Sequence, residues 1–162
     1  MWQGDIETEL CRNGSRLLTR RGVSAEQADA ALAHVVTEMN RAFPDARLHP
    51  RSWRRFESSM TNHPKDRHVL AAAVAANATH LVTDNTKDFP PRSRPEGLTV
   101  QRCEPFLLAQ LSARPDRFLA AAANMSGRHQ QPPHTPHQLA ERLAASGHLP
   151  ALGAALLRAL QT

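Results

Sequence analysis

The sequence predicts an α/β fold, a parallel sheet flanked by helices, followed by a helical appendage. Three observations lead there. Short apolar runs at His80 to Thr83 and Leu98 to Arg102 alternate with helix-period segments, the pattern of parallel strands joined by helices. The segment opened by Pro64, with its AAAVAA centre, is apolar nearly all round and is expected to be a buried helix. From about Glu104 strand signals stop and only helical segments remain. The expected division is 1–103 for the α/β part and 104–162 for the helical extension.

The elements follow in order. Gln3 to about Arg20 reads as a helix, with Ile6, Leu10, Leu17 and Leu18 near one face and Arg20-Arg21-Gly22 as its stop. Ser24 and Gln27 have capping-box spacing and open a helix to about Asn40. Its apolar stripe is Ala28, Leu32, Val35, Val36 and Met39. Phe43 to Pro50 is a loop or a short strand, since Pro44 and Pro50 cannot donate to a ladder. Ser52 to Ser59 is a short helix. Pro64 suits the first turn of the buried helix, which Asn77 caps. Pro90, Pro91 and Pro95 mark the loop between the two strands. Pro105 to Gln110, Asp116 to Met125, Pro136 onward to Gly147, and Pro150 to Leu160 are the helices of the extension. Ser126 to Pro136 is read as a polar linker, and Thr135 with Gln138 as a second capping box.

Composition narrows the class. At 162 residues and 41% hydrophobic the chain can build a core, and with 4% aromatics that core must be mostly Ala, Leu and Val. The net charge of +5 suits a polyanionic partner. Cys11 and Cys103 form no close pair, so a disulfide framework is not expected and a reducing cytoplasm is the default. No apolar stretch is long enough to span a bilayer, and MWQGDIETEL lacks the parts of a signal peptide. The nine histidines are scattered; His134 and His137 straddle a cap and no zinc spacing occurs.

The candidate chemistry lies between Asp66 and Pro90. Asp66 falls at a helix start, where backbone N–H groups and the helix dipole favour an anion. Asp84 and Asp88 lie just past the first strand. A helix start and a strand's C-terminal end can meet at one edge of a parallel sheet, where α/β folds place their sites. Basic residues supply a substrate side: Arg51, Trp53, Arg54, Arg55 and Phe56 interleave charge with aromatics, Lys65 and Arg67 flank Asp66, and Arg12 follows Glu9. These suit RNA phosphates, with Trp53 stacking on a base. The alternative is that Trp53 and Phe56 anchor the core while the arginines face water.

The run DRHVLAAAVAANATHLVTDNTKDFP resembles the C-terminal half of a PIN domain, the nuclease module of VapC-like toxins. The resemblance implies a T-x-N-x-x-D-F loop, which maps onto Thr83, Asn85, Asp88 and Phe89. Asp88 is then a metal ligand with Thr83 and Asn85 as supports; Asp84 is a further acid or a turn residue. Ile6 to Leu10 resembles the family's I-x-x-E-L helix, which makes Glu9 a second acidic position. The implied catalytic and metal set is Glu9, Asp66 and Asp88. Carboxylates without His or Cys suit Mg²⁺ or Mn²⁺, which can activate water and stabilise charge on a scissile phosphate. Pro132-Pro133, the helix from Thr135 and the turn Gly147 to Pro150 resemble the C-terminal extension of one VapC-like subfamily.

The same resemblance implies a metal-dependent endoribonuclease, the toxin of a toxin–antitoxin pair, with an antitoxin as partner and a homodimer as a further option. Family members carry a first strand ending in Asp, then a helix, ahead of the segment matching Met1, on the order of 30–50 residues. Asp5 and Glu7 sit on a helix and do not replace that Asp. The expectation is a separate short polypeptide that completes the sheet by strand complementation; a trimmed start or a decayed gene is the alternative. The alternative function is an inactive PIN remnant that binds RNA or an antitoxin.

Overall fold

The computed structural model describes residues 1–128 and 135–161. The fold is mixed α/β with small parallel sheets. The elements are β1 (Trp2–Gln3), α1 (Gly4–Arg20), α2 (Ala25–Ala42), β2 (Arg47–Leu48), α3 (Pro50–Glu57), α4 (Arg67–Ala75), β3 (His80–Val82), β4 (Thr99–Gln101), α5 (Cys103–Ala113), α6 (Pro115–Gly127), α7 (Pro136–Ala145) and α8 (Pro150–Ala159). They form two compact units, one of Met1–Leu81 with Lys87–Val100 and one of Val82–Thr86 with Gln101–Thr162. No described helix is long and apolar enough to cross a membrane.

Strand β1 was not expected from the sequence. It pairs in parallel with β2, Trp2 opposite Arg47 and Gln3 opposite Leu48. Two residues give no periodicity to read, and side-chain contacts hold the pair in place. The Glu7 carboxylate accepts from Trp2 Nε1 (3.0 Å), Asn40 Nδ2 (3.2 Å) and the Arg47 guanidinium (2.9 Å). That one acid ties β1, α1, α2 and β2 together. Trp2 also meets Phe43 edge-on, 6.4 Å between ring centroids.

Strands β3 and β4 form the second sheet. Thr99 N–H donates to Thr79 O and Thr83 N–H to Gln101 O. The partners advance in the same direction on both segments, as parallel pairing requires. In each sheet one strand edge faces its partner and the other faces no strand among the described residues.

Helix α4 is buried as its all-round apolarity implies. Leu70 and Ala73 pack with Phe89, Leu98 and Val100, while Ala71 and Ala72 pack against Trp53. Small alanines let α3 approach closely, and one helix thus serves two apolar clusters. It ends as the sequence predicts. Asn77 takes a left-handed backbone (φ 48°), Ala78 N–H donates to Ala73 O and Asn77 N–H to Val74 O. That closes the last carbonyls in a Schellman arrangement.

Several boundaries differ from the sequence reading. Helix α5 begins at Cys103 and runs to Ala113, and α6 runs through Gly127, into the stretch read as linker. His134 and Pro132-Pro133 lie outside the described residues. The second capping box is present in full: Thr135 Oγ1 accepts from Gln138 N–H (3.2 Å) and Gln138 Oε1 from Thr135 N–H (2.9 Å). In the second unit Leu111, Ala140, Leu152 and Leu156 form the core. Glu104 Oε1 accepts from the N–H groups of Ala151 (2.7 Å) and Leu152 (3.0 Å), so an acid on α5 caps the start of α8.

Candidate acidic site

Asp66 is set by a short 3₁₀ turn, Pro64–Asp66, that runs into α4. His63 caps the turn, its Nδ1 accepting from Lys65 N–H (3.4 Å). Asp66 stands as N-cap of α4 yet its carboxyl makes no capping hydrogen bond. It lies 3.7 Å from His63 Nδ1, an ion pair when that ring is protonated. The two roles of Nδ1 exclude each other, because a protonated Nδ1 cannot accept from Lys65.

The sequence places Asp66 where a helix start should favour its anion. The structure reverses the balance. Burial pushes the Asp66 carboxyl above the usual aspartate range, the charge of Asp88 adds to this, and Glu9 adds further; His63 and His68 pull the other way. Desolvation and like charge thus outweigh the two histidines. Glu9 on α1, Asp66 before α4 and Asp88 in the 3₁₀ turn Thr86–Asp88 therefore share one electrostatic neighbourhood, though 57 and 22 residues separate Asp66 from the other two along the chain (66 − 9 and 88 − 66).

That neighbourhood is acidic without being a finished cage. Among the described residues no three His, Cys, Asp or Glu side chains are drawn together closely enough to hold a metal ion. The donor chemistry nonetheless suits a hard cation, since the groups that act on Asp66 with like charge are carboxylates alone. Thr83 and Asn85 form a local turn, Asn85 N–H donating to Thr83 Oγ1 (3.2 Å). Asp84 beside them is exposed.

The basic residues divide. Arg12, Arg51, Arg54, Arg55 and Lys65 are exposed, and Arg67 is half-buried. Trp53 is corrected: at 1% exposed its ring lies in the core with Ala71 and Ala72 and is closed to a base. The Arg54 guanidinium lies over that ring (5.4 Å to the centroid) and Arg55 over Phe56 (4.7 Å), so the arginines cover the aromatics. The helix α3 face therefore offers charge without stacking.

Two buried polar residues, Gln3 and Asn62, were given no role from the sequence, while His68 stands in the DRHVL stretch that the resemblance covers. Among the described residues Asn62, 3% exposed, has neither amide atom hydrogen-bonded, and the buried Gln3 Nε2 and His68 Nε2 have no hydrogen-bond partner. Nothing in the spacing of Gln3 and Asn62 marks those two. Glu7 was passed over as a surface acid because its partners Asn40 and Arg47 are 33 and 40 residues away.

Residues 104–158 match the family described as the VapC50 C-terminal domain. The chain is also 40% identical over 87 residues to a Mycobacterium tuberculosis protein named "Putative ribonuclease VapC50", which covers 53% of this chain and 52% of that relative. No solved structure matches. The chain thus spans about half the length of the curated relative it matches, and its C-terminal helices are similar to the VapC50 C-terminal domain.

Proposed function

We propose that the chain is the larger part of a PIN-like, metal-dependent endoribonuclease, the toxin of a toxin–antitoxin pair. The observation that carries this reading is that Asp66 is held above the usual aspartate range first by burial and then by the like charges of Asp88 and Glu9, so that three carboxylates act on one another electrostatically. The name of the mycobacterial relative supports RNA as the substrate, and the VapC resemblance an antitoxin as a partner.

Glu9, Asp66 and Asp88 would hold Mg²⁺ or Mn²⁺, with Thr83 and Asn85 shaping the loop between β3 and Asp88. Bound there, a cation would supply positive charge for the phosphate oxygens and acidify water. The chain's own part is to present carboxylates whose mutual repulsion a cation relieves, and to bring RNA phosphates near through Arg12, Arg51, Arg54, Arg55, Lys65 and Arg67. Among the described residues each two-stranded sheet has two unpaired edges, and parallel sheets this small are not stable alone. A short polypeptide that adds a strand, and with it a further carboxylate, would complete sheet and site together.

The test is cleavage of a labelled RNA with Mg²⁺ or Mn²⁺, by the chain alone and co-expressed with a strand–helix segment supplied in cis or in trans. Cleavage that needs the cation and disappears in Asp66→Asn is the expected result. Cleavage that survives chelation or that substitution refutes the reading. A second reading is an inactive remnant that binds RNA or antitoxin without cutting. It is favoured by the lack of a three-residue metal set among the described residues. RNA binding without cation-dependent cleavage, even after completion, would establish it.

A further inference from the structure

The second unit carries an open groove of about 470 Å³ where α5, the start of α6 and α8 meet. Leu108, Leu111 and Ser112 of α5, Pro115 of α6, and Ala155 and Ala159 of α8 line it. The room exists because α8 presents methyl groups where larger side chains would fill the gap. Leu160 at the end of α8 is 36% exposed. The groove is therefore aliphatic, reachable from solvent and distinct from the acidic site.

Its edge is basic. Arg158 lines the groove itself, and Arg114 and Arg117 line the adjoining hollow at the start of α6. All three are exposed, and none forms an ion pair among the described residues. Asp116 is the one acid lining that hollow, which leaves three positive charges against one negative along the edge. Glu104, the acid of α5, is committed to the start of α8. An aliphatic floor with an unpaired basic rim calls for a complementary occupant, an apolar side chain flanked by carboxylates. Single-stranded RNA fits less well, since no aromatic among the described residues lines the groove and base recognition without sequence readout relies on aromatic stacking.

We propose that this groove docks an acidic amphipathic segment of a partner protein, with one apolar side chain seated between α5 and α8 and carboxylates on Arg114, Arg117 and Arg158. The site stands apart from the nuclease reading and survives its failure.

Fluorescence anisotropy on the full chain tests it. The probe is a short labelled peptide with Leu at helical spacing and Glu between. The controls replace every Leu by Ser, or every Glu by Gln, and a labelled oligouridylate serves as the nucleic acid. Saturable binding of the Leu/Glu peptide is expected, with weaker binding of both controls. Combined Arg114→Glu, Arg117→Glu and Arg158→Glu should weaken it roughly tenfold or more while leaving the circular dichroism melt unchanged. Ala155→Phe, which fills the groove without altering charge, should weaken it as well. Absence of saturable binding overturns the proposal, as does equal affinity for the Ser control. Tighter binding of oligouridylate that the arginine reversals abolish would make the surface a nucleic-acid site and overturn it too.

Discussion

Glu7 is the acid whose environment is best defined. Arg47 beside it, with help from Asn40 and Trp2, holds its carboxyl below the usual glutamate range against a smaller opposing effect of burial. A lowered folded value means the stabilisation is present above the unfolded value and is lost as pH falls through the folded one. Glu7→Gln should therefore cost about 2 kcal/mol at neutral pH, and the cost should shrink on acidification, read from urea midpoints across acid pH. Asp66 has the opposite sign. Its raised carboxyl stabilises the fold below the unfolded value, and that contribution is lost as pH rises through the raised one. Without metal, Asp66→Asn should melt higher than the parent at neutral pH; a lower melting temperature would contradict the repulsion described. Trp53→Ala should cost about 3–5 kcal/mol of stability because the ring is core, with RNA affinity unchanged once the loss of folded protein is allowed for. Asp66, Asp88 and the arginines were candidates from residue type and position, and Glu9 only through the family resemblance. Their burial was not, because exposure depends on partners distant in sequence.

Helices that carry their own signals were read most closely. Ser24 caps α2, Thr135 and Gln138 box the start of α7, and Asn77 closes α4, each from chemistry within a few residues. Strand β1 was missed and α6 was read too short, since two-residue strands and helix extensions are fixed by contacts rather than by local pattern. The α7–α8 pair shows the same dependence. A Cβ added at Gly153 would stand 2.1 Å from Ala144 N and 2.7 Å from Ala140 O, backbone atoms that cannot swing aside. Gly153→Ala should force the helices apart and destabilise the helical unit by about 1–3 kcal/mol or more, measured by the loss of its hydrogen-exchange protection. Glycine here marks a close helix crossing, which the sequence offered only as a residue inside a helix. Glu104→Ala, which strips two acceptors from the start of α8, should cost about 2 kcal/mol in the same unit.

At the scale of the molecule, the α/β class and the helical character of the C-terminal part were legible, because alternation of period and its disappearance extend over many residues. The candidate site was legible as a list of acids and not as a geometry. Glu9, Asp66 and Asp88 come from three separate elements, and only the fold brings their charges to bear on one carboxyl. The account stands on those carboxylates sharing a divalent cation. The most direct measurement is the thermal melt of the chain titrated with Mn²⁺ at neutral pH, beside Asp66→Asn. The account predicts that Mn²⁺ raises the melting temperature of the parent saturably, by mass action on the folded state, and leaves Asp66→Asn nearly unmoved. No response in the parent, or an equal response in both, would contradict it.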